Sequence, residues 1–331
     1  MGIQRERVEV VRVASRQLDV RIDSGLTPPT GLSPTSASTW QQCQLRYALT
    51  YQRGWTEGAT VPQLIGNTTH LAIEWLYGLS HADRIRPRAS ELLVAAYDEE
   101  AAKPGVANLV ANIATIREQV LATGEDALDG LFELERPELI NVGAEGLEVW
   151  VRSTLYGAPI RGRIDRLYDA SGAYVVADYK TGRTAKPAYA RKAFFGLMTY
   201  AAALAASDED KVLPDRVELL YLIGRDRLTR PVLREVALAQ ARELATIWQE
   251  VLDATNESRV VARTSALCSW CAFETVCPAK VRAPLPAVGG AEHDALLLDA
   301  GLTRREQAAV AVALDRVTSR EEEAGVDEEE P

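Results

Sequence analysis

The placement of its four cysteines is the feature that most constrains how this 331-residue chain can fold. Cys43 stands alone near the start, whereas Cys268, Cys271 and Cys277 follow one another in the stretch CSWCAFETVCP. Four thiolates with none to spare are the ligand set of a structural zinc ion or of a [4Fe–4S] cluster. A site built from all four would bring both ends of the chain together around the residues between them.

Other interpretations of the cysteines are weaker. Cysteine is often a small buried hydrophobic residue, and two disulfides are formally possible. However, the N-terminal sequence MGIQRERVEVVRVASRQLDV is charged and lacks the apolar segment of a secretory signal. We therefore expect a cytoplasmic protein, in which disulfides are unfavourable and C-x2-C spacing is more typical of metal or cluster ligation. Spacing alone leaves zinc and iron–sulfur both open.

The net charge of −10 argues at first against a polyanionic partner. Residues 320–331 carry seven acidic side chains and one basic one, so this tail supplies −6 and the rest of the chain only −4. A local basic lining can bind phosphates whatever the overall charge. Basic residues concentrate in the middle of the chain: Arg161, Arg163, Arg166, Lys180, Arg183, Lys186, Arg191 and Lys192.

Hydrophobic periodicity predicts an α/β core. Three consecutive segments rich in β-branched or aromatic residues are separated by turn residues, and a fourth follows one helix later: LEVWVRSTLYG, APIRGRIDRLYD, AYVVADYKTG and VELLYLIG. One or two strands are expected in the first 30 residues. Helices are expected from Ser36 or Ser38 through Tyr47, and over 66–79, 88–135, 189–206, 238–252 and 303–318. No apolar run approaches the length that spans a membrane, so we predict no membrane partner.

Two aspartates and a lysine in the predicted strands are the strongest candidates for chemistry. Alternation along a strand places Asp178 and Lys180 on one face, and Asp165 lies in the strand before. Burying such charges in a hydrophobic strand is costly without a partner, and Mg²⁺ or Mn²⁺ held by converging carboxylates supplies one. The same spacing recurs at Glu209 and Lys211, but in a polar, loop-like stretch, which disfavours it.

Of the three histidines, only His70 lies in an informative setting. The stretch GNTTHLAIEWLYG places it one helical turn before Glu74. A lone helical histidine is most often half-buried and bonded to such a neighbour. Imidazole is nevertheless a usable third ligand beside two carboxylates.

These features occur in an informative order: His70, the Gly-x-x-Asp of GRID, the Asp-x-Lys of DYK and a helical tyrosine, bracketed by one early and three late cysteines. The order resembles the RecB-like branch of the PD-(D/E)XK nucleases. More narrowly, it is similar to the iron–sulfur exonucleases that include the CRISPR-associated adaptation nucleases and their phage relatives. The resemblance covers roughly 33–280. It implies a restriction-endonuclease-like α/β core, a central mixed sheet flanked by helices, with a helical insertion and a cysteine-ligated cluster module.

The resemblance also assigns residues to roles. It implies that His70, Asp165 and Asp178 hold Mg²⁺ or Mn²⁺, that Lys180 acts in catalysis with the two aspartates, and that Glu148 is an accessory acid. A [4Fe–4S] cluster would be held by Cys43, Cys268, Cys271 and Cys277. Candidate substrate contacts are Tyr200, Arg163 and Arg183. The implied activity is a metal-dependent DNA exonuclease acting on single-stranded ends, 5′→3′ favoured, in recombination, repair or CRISPR-type DNA processing.

Two positions depart from the family pattern. Gly196 stands where the family's Gln-x-x-x-Tyr has glutamine, and Gln44 stands where proline usually follows the first cysteine. The first departure bears on substrate positioning but leaves the metal-and-lysine set complete. The alternative function is therefore a catalytically impaired iron–sulfur or zinc module that binds DNA or a protein partner.

The sequence divides into five predicted segments. An N-terminal extension (1–32) precedes a helical region (33–145) that carries Cys43 and His70. The nuclease core (146–235) is followed by a helix and the late cysteines (236–283). A linker, a helix and the acidic tail (284–331) end the chain, and we expect this last part to be the place where a protein partner would bind.

Overall fold

The computed structural model describes residues 11–13, 17–22, 25–55, 57–207 and 213–281. The second E-x-K at Glu209 and Lys211, the predicted C-terminal helix and the acidic tail lie outside the described residues. Within the described part of the chain, no helix is both long and apolar enough to cross a bilayer.

A five-stranded mixed sheet forms the centre of the protein, in the order β3-β4-β5-β6-β7. Its strands are β3 (Leu147–Leu155), β4 (Ala158–Asp169), β5 (Tyr174–Lys180), β6 (Arg216–Tyr221) and β7 (Asp226–Pro231). Neighbouring strands are antiparallel except for the parallel pair β5–β6. The four predicted core strands are confirmed. The edge strand β7 was not predicted, since its sequence DRLTRP is polar and it buries little.

Ten helices surround this sheet in the described residues: α1 (Pro34–Gln42), α2 (Gln44–Tyr47), α3 (Val61–Gly78), α4 (Arg86–Ala101), α5 (Pro104–Asn112), α6 (Ile116–Leu134), α7 (Ala190–Ala193), α8 (Phe195–Ser207), α9 (Arg234–Glu257) and α10 (Pro278–Val281). Side chains of α1, α8 and α9 form one hydrophobic core with one face of the sheet. Those of α3, α4 and α6 form a second core with the other face. The predicted mixed sheet flanked by helices is confirmed.

The first helix differs from the prediction at both ends. Its N-cap is Ser33, not Ser36 or Ser38, because the Ser33 and Ser36 side chains cap each other's backbone N–H groups and Pro34 occupies the first turn. The helix also stops before Cys43, whose extended backbone (φ −161°, ψ 111°) separates α1 from α2. The first cysteine therefore lies at a break between two helices.

A small second sheet joins the two ends of the described chain. It is formed by β1 (Val11–Val13), β2 (Gln17–Arg21) and β8 (Arg259–Arg263), all antiparallel. Val20 and Val260 are paired across it and both are buried. Burial of this cross-strand pair stabilises the sheet, which brings the N-terminal strands beside the segment that leads into the late cysteines.

Candidate active site

Three candidate ligands converge where α3 approaches β3 and β4. One ligand atom from each of His70, Glu148 and Asp165 lies within 4.8 Å of the other two. His70 Nδ1 lies 3.2 Å from Asp165 Oδ2. His70 and Asp165 were predicted as metal ligands, whereas Glu148 was assigned only an accessory role.

The register of the β3–β4 hairpin places Glu148 opposite Asp165. Leu147 pairs with Arg166 and Val149 with Ile164, so the two acidic residues face each other between these pairs. Glu148 has a left-handed backbone (φ 48°), which costs a non-glycine residue about 1–2 kcal/mol. A strained residue that carries a candidate ligand is a frequent property of functional sites.

The backbone of Tyr179, the middle residue of the Asp-x-Lys triplet, orients two of the ligands. The β4–β5 ladder stops at the pair Arg166–Ala177, so the β4-facing groups of Tyr179 are available to side chains. Its N–H donates to Asp165 Oδ2 at 3.0 Å, and its carbonyl lies 2.9 Å from His70 Nε2. A carbonyl only accepts hydrogen bonds, so Nε2 carries the imidazole proton.

This tautomer fits a cation site. When His70 is neutral, its Nδ1 lone pair points at a carboxylate oxygen of Asp165 only 3.2 Å away, and the two acceptors repel each other. A divalent cation held by Nδ1 and the nearby carboxylates would remove that repulsion. A histidine whose second nitrogen donates to a backbone carbonyl is also the usual arrangement in metal centres.

Asp165 titrates abnormally in the metal-free protein. Its side chain is 15% exposed, and burial, followed by the neighbouring Asp178 carboxylate, raises the pKa of Asp165 to about 6. The Tyr179 N–H, Lys180 and, when it is protonated, His70 oppose that rise without cancelling it. The Asp165 carboxylate is thus incompletely compensated by its neighbours in the metal-free protein, as expected for a residue of a cation-binding site.

Asp178 and Lys180 form an ion pair beside this group. Lys180 Nζ lies 2.5 Å from Asp178 Oδ2. Burial lowers the pKa of Lys180, but Asp178 and Asp165 outweigh it and the net shift is upward, so the side chain is an ammonium at neutral pH. Asp178 does not belong to the group of three ligands, and its assignment as a metal ligand stays a prediction.

Tyr200 of α8 lies over β4 next to the site. A Cβ atom at Gly162 would lie 2.5 Å from Tyr200 Cε1, so only glycine leaves room for the ring. Burial raises the pKa of Tyr200 to about 12, although the backbone N–H of Arg163 opposes that rise. Gly196, one turn earlier, packs towards α1: its Cβ would lie 3.5 Å from that of Pro34.

The two predicted substrate-binding arginines have different surroundings. Arg163 Nε donates to Glu148 Oε2 at 2.5 Å, so it holds one of the three candidate ligands. Arg183 is exposed in the segment that follows β5, three residues beyond Lys180. Substrate contact by either arginine stays a prediction.

The four cysteines occupy one region without forming a ready-made site. All are free and half-buried, and those at 43, 271 and 277 pack against the same hydrophobic core. Burial raises the pKa of Cys271 to about 11 and raises that of Cys277, which keeps both as thiols at neutral pH. Among the described residues, no three cysteine sulfurs lie within 4.8 Å of one another. The cluster module is therefore not shown.

Comparisons with known proteins bear on the family of the chain. No curated protein matches it in sequence. A solved structure described as "Crystal structure of SSO0001" is similar at 18% sequence identity and a TM-score of 0.28, over 66% of this chain and 85% of that one. The family model described as PD-(D/E)XK nuclease superfamily matches residues 31–278. With most of its length matched and the Asp-x-Lys triplet in the central sheet, the chain belongs to the PD-(D/E)XK nuclease superfamily.

Proposed function

We propose that this protein is a Mg²⁺- or Mn²⁺-dependent exonuclease that hydrolyses phosphodiester bonds at single-stranded DNA ends. Membership of the superfamily implies metal-dependent hydrolysis of nucleic acid. The observation that carries the proposal is the convergence of His70, Glu148 and Asp165 within 4.8 Å. Two carboxylates and one imidazole suit Mn²⁺ and, with added water ligands, Mg²⁺. The resemblance to RecB-like iron–sulfur exonucleases supports the exonuclease activity, the 5′→3′ direction and a role in recombination, repair or CRISPR-type processing.

Each residue has a defined task in this proposal. The cation is held by His70, Glu148 and Asp165, and Asp178 is a further candidate ligand. Backbone groups of Tyr179 orient His70 and Asp165. Lewis-acid stabilisation of charge on the phosphate and acidification of water are the chemistry that the cation supplies when bound. In the metal-free protein the Lys180 ammonium pairs with Asp178. Lys180 orients the attacking water and offsets charge that develops on the phosphate.

The test is cleavage of 5′- and 3′-labelled single-stranded DNA by anaerobically purified protein with Mg²⁺ or Mn²⁺. Lys180→Ala and His70→Ala should each reduce the rate by at least about 10²-fold, since electrostatic groups of this kind contribute that much. Arg88→Ala, which removes an exposed basic side chain of α4, is the control and should retain activity. The label released first gives the polarity.

Two outcomes would contradict this function. Wild-type protein that binds DNA but does not cleave it with either metal would indicate the impaired binding module instead, with Gly196 as the first position to restore to glutamine. Cleavage that survives both Lys180→Ala and His70→Ala would show that the activity arises elsewhere.

We further propose that the four cysteines hold a [4Fe–4S] cluster that stabilises the fold. In a tetrahedral zinc site, bonds of about 2.3 Å place all four sulfurs within about 4 Å of one another, whereas no three cysteine sulfurs of the described residues lie within 4.8 Å of one another. A cubane cluster binds each thiolate at a different iron and suits wider spacing. Closure of both chain ends onto one cluster contributes to folding.

Iron, sulfide and zinc analysis of anaerobically purified protein tests this second proposal. Brown protein with iron and sulfide near four per chain is expected, and Cys43→Ser should lose both and lower the melting temperature. Ser269→Ala, in the middle of the late cysteines, is the control that should keep the cluster. Colourless protein with one zinc per chain would refute the cluster.

A further inference from the structure

An exposed row of aromatic and basic side chains continues from the site along the β3–β4 hairpin. Trp150 pairs with Arg163 across the hairpin, and Arg152 pairs with Arg161. Residues opposite each other in an antiparallel pair share a face, as do residues two apart in one strand. These four residues, which we call the hairpin track, therefore lie on the face that carries Glu148.

Contacts connect the track to the candidate ligands. Arg163 Nε donates to Glu148 Oε2 at 2.5 Å, and the Arg163 guanidinium carbon lies 5.7 Å from the Trp150 ring centroid. Arg152 approaches the same ring at 5.9 Å. Both distances are near the outer limit of a cation–π contact, about 6 Å. Either guanidinium can therefore leave the ring for a phosphate, and a base can take its place.

The far end of the track is concave and positively charged. A pocket of about 440 Å³ is lined by Arg152, Arg161, Thr30 and Thr154, among other residues. In the part of the chain that the structure describes, neither Arg152 nor Arg161 forms an ion pair. Trp150 itself is 64% exposed, an unusual position for so large an apolar side chain in an otherwise charged row. An exposed tryptophan beside two arginines without ion-pair partners is the composition of a surface that binds single-stranded nucleic acid.

We propose that the hairpin track binds an extended single strand of nucleic acid, with Trp150 stacking on a base beside the scissile phosphate and Arg152 and Arg161 holding phosphates beyond it. Successive pairs of the hairpin are about 6.8 Å apart, two residues at about 3.4 Å each. In a helically stacked strand, successive nucleotides rise by about 3.4 Å, which is half of that spacing. The track thus suits a strand whose bases are unstacked, and Trp150 replaces the lost stacking. This inference deepens the proposed function and rests on it for the position of the scissile phosphate.

Binding is measured by fluorescence anisotropy of a labelled oligothymidylate with full-length protein in EDTA, so that no cleavage takes place. Trp150→Ala should weaken binding about 5- to 150-fold, because stacking on an aromatic side chain contributes about 1–3 kcal/mol per base. Trp150→Phe retains an aromatic face and should restore most of the affinity. Leu139→Ala removes an equally exposed apolar side chain, 63% exposed, away from the track and should have no effect.

The salt dependence of binding tests the arginines. In single-strand binding, each phosphate contact contributes about 0.7 to the slope of log K against log salt. Arg152→Ala and Arg161→Ala combined should therefore reduce that slope by about 1.4. Arg88→Ala, which removes an exposed arginine of α4, should leave it unchanged. A DNA duplex of the same length should compete at least 10-fold less well than the single strand.

The outcomes separate this proposal from the function of the site. Wild-type affinity in Trp150→Ala, with unchanged melting temperature, would overturn the track, as would a duplex that competes equally well. If the protein cleaves DNA and shows either of these two results, the hairpin track is rejected and the proposed nuclease function is kept. Binding that depends on Trp150 in a protein that never cleaves DNA would support the track and reject the proposed nuclease.

Discussion

Replacement of Asp165 by asparagine should stabilise the metal-free protein at neutral pH although it removes a candidate metal ligand. Burial, followed by the Asp178 carboxylate, raises the pKa of Asp165 from 3.8 to about 6. Asparagine has nearly the same shape and removes the charge. Its side-chain oxygen can still accept the hydrogen bond that the Tyr179 N–H donates to Asp165 at 3.0 Å.

The magnitude follows from the two pKa values. Because the folded-state pKa is higher than the unfolded one, the folded protein binds this proton more tightly, and ionisation of the carboxyl lowers stability. The penalty is absent below about pH 4, grows as the pH rises and is complete above about pH 6. The difference between 3.8 and about 6 corresponds to about 3 kcal/mol, since each pKa unit is 1.36 kcal/mol.

Urea unfolding in EDTA at pH 4 and pH 7.5 measures this effect. Asp165→Asn should raise the free energy of unfolding by up to about 3 kcal/mol at pH 7.5 and by little at pH 4. Asp98→Asn, an exposed carboxylate of α4, is the control and should stay within about 0.5 kcal/mol of wild type at both. Manganese at 100 times its Kd should stabilise wild type by about 2.7 kcal/mol and the variant far less. An Asp165→Asn protein no more stable than wild type at pH 7.5 in EDTA would refute the reasoning.

Two further substitutions test the surroundings of the site. Arg166 is fully buried, donates to both Glu135 oxygens at 2.6 and 2.9 Å and contacts tyrosine rings. Arg166→Met should lower the free energy of unfolding, measured with urea, by about 3–5 kcal/mol, because the buried Glu135 carboxylate loses its main partner. Gly162→Ala should displace the Tyr200 ring and lower the cleavage rate roughly 10²-fold, whereas Gly78→Ala, where a Cβ would meet nothing within 4 Å, should leave the rate unchanged.

The parts of the fold that follow from local periodicity could be predicted from the sequence. Strands β3 to β6 combine β-branched residues with turn signals, and the long helices have clear apolar faces. The second sheet could not be predicted as a unit, because β8 is only five residues long and pairs with β2 more than 200 positions earlier. The break at Cys43 was missed since nothing in its neighbours prevents a helix.

Some residues of the candidate site could likewise be predicted from the sequence, and others could not. His70, Asp165 and Lys180 were singled out because each stands in a recognisable sequence motif. The role of the Tyr179 peptide has no such signal: any residue except proline at that position could offer the same N–H and C=O to Asp165 and His70. Its contribution depends on where the β4–β5 ladder ends, which is a property of the paired strands and not of one segment.

Unlike the role of Tyr179, the position of Glu148 opposite Asp165 could have been predicted from the turn of the hairpin. Tyr156 and Gly157 both have positive φ, 47° and 87°, as a two-residue type I′ connection requires. Such a turn makes Leu155 and Ala158 partners, and counting back seven residues along β3 and forward seven along β4 pairs Glu148 with Asp165. Register is fixed by loop length, so a short turn before a motif aspartate locates its cross-strand neighbour. In this chain that neighbour is the third member of the candidate metal site.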